Sequence, residues 1–160
     1  RLQSRLTGLG HQVDLQPLVG GTAAPPGHDA IVIGASIRQG KHNPAVIEFI
    51  TRNLALLQAK PSAFFSVNLV ARKPAKNTPQ TNPYLRRFLA NCPWQPKLLG
   101  VFAGELDYQR YGPFDRYAVR LIMWLNKGPT DLKTKTEFTN WDEVERFAGR
   151  VDALARGSTA

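Results

Sequence analysis

The sequence predicts an α/β fold: an open parallel sheet with helices on both faces. Three observations carry that expectation. The β-branched run Ile31-Val32-Ile33 stops at Gly34 and opens into the small, polar, basic stretch Ala35-Ser36-Ile37-Arg38. Parallel strands end in this way at ligand sites. The pattern then returns in the strand-like run Ala63–Val70, followed by Ala71-Arg72-Lys73-Pro74. Between and beyond these runs lie stretches whose apolar residues recur at helical spacing, and such alternation builds parallel sheets.

The elements follow in order. Arg1–Leu9 reads as a helix, with Leu2, Leu6 and Leu9 at i, i+4 and i+7 and Gly10 as its stop. Gln12–Leu18 alternates Val13, Leu15 and Leu18 and reads as a short strand. Val19–His28, rich in Gly and Pro, reads as a loop. Ala30–Gly34 is a buried strand. Asn43 caps a helix that has Pro44 at its first position and an apolar face of Ile47, Ile50, Leu54 and Leu57. Pro61 ends it, and Ala63–Val70 is the next strand. Ala71–Pro79 is a basic loop. Gln80–Asn91 is a helix with Tyr84, Leu85, Phe88 and Leu89 on one side. Lys97–Ala103 is a strand that ends at Gly104, and Thr134–Phe138 is a short extended piece. Asn140 caps the last helix, with Glu143 placed for a capping box and Val144, Phe147, Val151 and Leu154 facing inward. Crossovers in such sheets are right-handed, so the loops after Gly34, Val70 and Gly104 converge at one edge.

Charge and composition narrow the function. A chain of 160 residues with 42% apolar content suits one domain with a sizeable core. Its net charge of +9 and pI near 10.1 point to an anionic partner: nucleic acid, an acidic lipid surface or an anionic small molecule. The single Cys92 excludes an internal disulfide framework and a cysteine-rich zinc site. His11 and His28 have no paired ligand spacing, and no metal motif is present. His42 is a candidate proton shuttle near neutral pH.

Residues 105–131 exceed what a minimal α/β unit needs. Gly112-Pro113 and Gly128-Pro129 bound a segment with a helical apolar stripe of Phe114, Tyr117, Ala118, Leu121, Ile122 and Leu125. Arg116, Arg120 and Lys127 are expected near the opposite face. With Tyr117 and Trp124 this makes a basic amphipathic helix of the kind that lies in a membrane interface.

Together these stretches resemble the flavodoxin-like, quinone-dependent protoporphyrinogen oxidases of Gram-negative bacteria. The resemblance is carried by IVIGASIRQGKH, PSAFFSVNLVARKPAKNTPQTNPY and the insert AGELDYQRYGPFDRYAVRLIM. It implies FMN at the strand ends, oxidation of protoporphyrinogen IX to protoporphyrin IX in haem biosynthesis, and a membrane quinone as electron acceptor. It also implies a peripheral position on an anionic membrane, at the cytoplasmic face of the inner membrane.

The resemblance assigns residues by motif. Gly34, Ala35, Ser36, Ile37, Arg38 and Gly40 form one FMN-facing loop, in which Arg38 and Lys41 suit an anionic flavin or a propionate. Asn68, Leu69, Val70 and Ala71 form a second such loop, and Gly104 lies at the end of the third strand. Arg72, Lys73, Tyr108, Arg110, Tyr111, Arg116, Arg120 and Trp124 are expected to meet substrate or membrane. Family members begin with a strand and a Ser/Thr-rich phosphate loop ahead of the first helix, so the resemblance implies that this sequence opens inside that helix and is truncated at its start. Two alternatives stay open: a generic FMN quinone reductase or electron carrier, and a non-catalytic basic domain binding membrane or nucleic acid. The chain shows no recognisable nucleic-acid motif, and electron carriers of this type are usually acidic.

Overall fold

The computed structural model describes residues 1–24, 26–107, 117, 120–121, 123–124 and 135–157. Its centre is a four-stranded sheet in the order β2-β1-β3-β4. Strands β1 (Ile31–Arg38), β3 (Ser62–Val67) and β4 (Leu98–Phe102) run parallel. The pairings run from Ile31 opposite Ser62 to Ser36 opposite Val67, and from Ala63 opposite Leu98 to Val67 opposite Phe102. The carboxyl ends of the three strands therefore lie side by side, as the sequence predicts.

Strand β1 does not stop at Gly34. It continues to Arg38, turns at Gln39 and Gly40, and pairs antiparallel with β2 (Lys41–His42). Gln39 and Gly40 take φ values of 49° and 77°. Two consecutive left-handed residues make the tight hairpin turn that matches strand twist. The stretch expected to be a loop is thus a hairpin standing on the sheet.

Helices cover both faces. On one side lie α2 (Pro44–Arg52), α3 (Leu54–Ala59) and α4 (Pro83–Ala90). Asn43 accepts a hydrogen bond from the Ala45 amide at 2.9 Å, and Pro44 pre-sets the first turn of α2. The expected single helix is two: the backbone leaves helical geometry at Asn53 (φ −110°, ψ 20°), whose side-chain amide donates back to the Phe49 carbonyl at 2.8 Å. The inward face is accordingly Val46, Phe49, Ile50 and Leu57, with Ile47 and Leu54 only partly buried. These residues pack on Ile33, Ala35, Phe64 and Val101 of the sheet and on Leu85 of α4. Trp94, 1% exposed, closes this layer edge-on against Phe64.

On the other face lie α1 (Leu2–Gly8) and α5 (Trp141–Ala155). Leu6 and Val144, Phe147, Ala148 and Val151 pack on Ala63, Leu98 and Phe102. Asn140 caps α5 through the Asp142 and Glu143 amides. The reciprocal half of the capping box is not made by Glu143, whose carboxylate pairs with Arg146. Asp152 on α5 accepts from His11 at 2.7 Å and from Arg156 at 2.5 Å, and Arg156 also reaches the Leu9 carbonyl. This cluster fastens the chain leaving α1 to α5.

Gln12–Leu18 is not a strand. Val13 packs in the α1/α5 layer and Leu18 in the α2/α3 layer. Leu15 is 72% exposed. The alternation in the sequence therefore reflects a segment passing from one face of the sheet to the other. The base of the 105–131 insert is a two-stranded ribbon of β5 (Glu105–Asp107) and β6 (Lys135–Glu137), and β6 falls within the piece expected to be extended.

One contact governs the α1/α5 face of β1. The Phe65 ring lies directly over Gly34, so that a β-carbon at Gly34 would sit 2.2 Å from the ring. Phe65 is wedged against Phe102 and Phe147, with ring centres 5.6 and 5.9 Å away. A methyl group at Gly34 must displace this cluster. Gly34→Ala should lower unfolding free energy by about 1–3 kcal/mol in urea denaturation; an unchanged midpoint would show that the ring moves aside freely.

Candidate functional site

The carboxyl edge of the parallel sheet is where an open α/β fold holds its ligand. Two structures build that edge here. One is the β1–β2 hairpin, with Ser36 and Arg38 exposed and Ala35 buried. The other is the segment after β3, which forms 3₁₀ turns at Leu69–Arg72 and Pro74–Lys76. The hairpin and this segment carry Arg38, Lys41, Arg72, Lys73 and Lys76, and residues 36–42 and 68–82 contain no Asp or Glu. Like charges placed together raise the local potential and attract anions.

The two segments meet through buried side chains. His42 Nε2 lies 3.0 Å from Ser66 Oγ. Asn68 Nδ2 donates to the same Oγ at 3.2 Å. Asn82 Nδ2 donates to Asn68 Oδ1 and to the Lys76 carbonyl, both at 2.9 Å. Asn82 Oδ1 accepts from the Leu85 amide at 3.1 Å and so caps α4. Ser66, Asn68 and Asn82 are all buried. The His42 ring packs against Phe88, with ring centres 4.8 Å apart, and against Phe64 at 5.8 Å.

These contacts define the parts of the expected site. Asn68 turns its side chain inward, and its amide donates to the Phe102 carbonyl at 2.9 Å, so the residue ties the turn to β4. The Ala71 amide donates to the Asn68 carbonyl. Ala71 is buried, whereas Leu69 and Val70 are partly exposed, Leu69 packing against Leu106 and Met123. Arg72 Nη1 returns to the Leu69 carbonyl at 3.3 Å and braces the turn. Gly34 lies in mid-strand under Phe65. Ile37 pairs with His42 in the hairpin, and Gly40 forms its tip. Gly104 takes φ 77°, and a β-carbon there would meet Val67 at 2.7 Å. It turns the chain from β4 into the ribbon and brings no side chain to the edge.

Tyr108, Arg110, Tyr111 and Arg116 lie outside the described residues. Arg120 and Trp124 belong to a helical piece whose outer surface is Tyr117, Arg120, Leu121 and Trp124, spaced i, i+3, i+4 and i+7. Tyr117, Leu121 and Trp124 are 62%, 57% and 66% exposed and flank a shallow depression together with Arg120. Arg120 therefore shares the apolar stripe, where the sequence predicts it on the opposite face. Met123 points inward onto Leu106, an anchor that sequence reasoning missed.

A second concavity of about 280 Å³ lies on the α1/α5 side, lined by Phe65, Val67, Phe102, Glu105, Glu137 and Trp141 among others. Glu105 and Glu137 sit opposite one another across the ribbon. Its acidic rim disfavours an anionic ligand, in contrast to the sheet edge. Among the described residues no cluster of His, Cys, Asp and Glu is placed to hold a metal. Cys92 is buried, and burial pushes its thiol up, which keeps it protonated and unreactive.

FMN brings a dianionic phosphate and a flat ring whose polar edge takes hydrogen bonds. The residues fit that group: the hairpin cations Arg38 and Lys41, a turn with Leu69 and Val70 partly exposed, and the small Ala35 and Ser36 in the hairpin.

Burial lowers the His42 pKa from 6.5 to about 4, so the ring is neutral at physiological pH. This argues against the proton shuttle expected of His42. Between those pH values the unfolded chain binds more protons than the native one, so stability falls as pH drops from 6.5 towards about 4. Hydrogen bonds from Arg156 and His11 hold the Asp152 carboxyl low, so its contribution is lost only at still lower pH. His42→Gln should flatten the first of these losses and leave the second. Denaturation midpoints measured across the acid range check this; parallel profiles would contradict a neutral buried ring.

The flavodoxin domain family matches residues 1–133. The protoporphyrinogen IX dehydrogenase (quinone) of Escherichia coli strain K12 is 47% identical over 127 residues, covering 79% of this chain and 70% of the relative. The protein of the same name from Leishmania major is 46% identical over 127 residues, covering 79% of this chain and 55% of its own. No solved structure matches the chain.

Proposed function

The chain belongs to the flavodoxin domain family and to the protoporphyrinogen IX dehydrogenases (quinone), and we propose that it oxidises protoporphyrinogen IX with FMN as carrier and a membrane quinone as acceptor. The observation that carries this reading is the sheet edge built from two cationic segments without a carboxylate. FMN, when bound, supplies reversible two-electron chemistry that no side chain provides. The overall reaction removes six electrons and six protons from the porphyrinogen and converts three quinones to quinols. The product, protoporphyrin IX, is a haem precursor.

The chain's own residues have three tasks in this scheme. The hairpin and the turn after β3 hold the flavin by backbone and by Ser36, Leu69 and Val70. Arg38 and Lys41 at the hairpin draw the anionic flavin or the substrate's two propionates. Arg72, braced on Leu69, and Lys73 extend the positive surface.

The exposed stripe of Tyr117, Leu121 and Trp124, with Arg120 beside it, supports peripheral attachment to an anionic membrane at the cytoplasmic face. Apolar surface gains about 25 cal/mol per Å² on leaving water, and each nearby cation adds about 1 kcal/mol at an anionic leaflet. No helix among the described residues is long and apolar enough to cross a membrane.

Porphyrin fluorescence appearing from protoporphyrinogen IX under anaerobic conditions, dependent on added quinone, tests the reaction. Arg38→Glu with Lys41→Glu should lower kcat/KM by roughly tenfold or more. Quinone reduction without porphyrin would replace this reading with a generic quinone reductase. Leu121→Ser with Trp124→Ser should release the protein from anionic vesicles in sedimentation assays while porphyrin formation in detergent persists; unchanged sedimentation would remove the membrane role from this stripe.

A further inference from the structure

The buried chain from α4 to His42 has a direction. The Leu85 backbone N–H can only donate, so the Asn82 atom facing it at 3.1 Å is Oδ1. Asn82 Nδ2 then faces the Lys76 carbonyl and Asn68, where it donates to Asn68 Oδ1 at 2.9 Å. That orients Asn68 in turn, and its Nδ2 donates to Ser66 Oγ at 3.2 Å. Ser66 is fully buried, so its hydroxyl proton needs a protein acceptor. His42 Nε2, at 3.0 Å, is the acceptor that the described hydrogen bonds provide. Nε2 therefore carries the lone pair, and the ring hydrogen sits on Nδ1.

We propose that this relay makes His42 a positioning residue: the start of α4 fixes its ring in the Nδ1–H tautomer and so holds the Gln39–Gly40 hairpin in register with the turn at Leu69–Arg72. Four separate parts of the chain share the connection: β2 through His42, β3 through Ser66, the turn through Asn68, and α4 through Asn82. Neither loop can shift without breaking a hydrogen bond to a buried partner, Ser66 or Asn68, and a buried polar group left unpaired costs about 1–3 kcal/mol. The Phe88 and Phe64 rings hold the imidazole plane from the side. The consequence for ligand binding, that FMN meets both loops already set in place, rests on the reading of the preceding section.

Histidine-labelled protein tests the tautomer directly by long-range proton–nitrogen correlation near neutral pH. The chain has 3 histidines, and His42→Gln identifies the signal. Nδ1–H is expected in the unaltered protein. Ser66→Ala, which removes the donor to Nε2, should shift the ring towards Nε2–H. Asn82→Asp, which keeps an acceptor for the Leu85 amide but removes the donor to Asn68, should do the same, and serves where Ser66→Ala does not fold. Nε2–H in the unaltered protein, or Nδ1–H unchanged in a folded variant, would overturn the relay. Flavin fluorescence then reads the consequence: Ser66→Ala should weaken FMN binding by roughly tenfold. An unchanged Kd would overturn the positioning role and leave the flavin reading intact. Nδ1–H with no FMN bound by the unaltered protein would uphold the relay and refute the flavin reading.

Discussion

Strand β3 is paired on both edges, and much of the architecture depends on that. Its parallel register with β1 and β4 brings three strand ends to one edge. It also sorts side chains between layers. Phe64 and Ser66 face α2, α3 and α4, while Ala63 and Phe65 face α1 and α5. A slip of one residue would exchange those sets and bury the wrong face. Phe65 could not then rest on Gly34, and Ser66 could not lie between His42 and Asn68. Packing and polar connection are thus two results of a single register.

The division of charge around the strand ends is the second organising feature. Cations gather on the hairpin and on the segment after β3. Carboxylates gather on the ribbon, where Glu105 and Glu137 face one another. A molecule of high net charge could scatter its cations anywhere. Here Arg38, Lys41, Arg72, Lys73 and Lys76 line the edge that the parallel topology opens, while the neighbouring concavity has Glu105 and Glu137 on its wall. The neutral polar relay lies beneath the cationic surface and supplies rigidity without adding charge.

Much of this was legible in the sequence, because the signals are local. The strand runs, Asn43 with Pro44, Asn140 and the helical spacing of Val144, Phe147 and Val151 each act within a few residues. The misreadings involve distant partners. Val13 and Leu18 alternate like a strand, yet they pack in different layers on the two faces of the sheet. Gly34 reads as a strand end, whereas it is the seat of Phe65. Arg120 was expected away from an apolar stripe it belongs to, since nothing local reveals that Met123 is the residue turned inward. Asn82 carries a visible cap signal ahead of Pro83. Its tie to Asn68 spans 14 residues and is set by the fold, which brings the turn after β3 against the start of α4.

The most direct test of the account is an amide correlation spectrum of the protein titrated with FMN. The account predicts that the largest shifts fall on residues 36–42 and 68–76, the two segments at the carboxyl edge. Shifts centred instead on Thr139 and Trp141 in the acidic concavity, or no shifts at all, would contradict it.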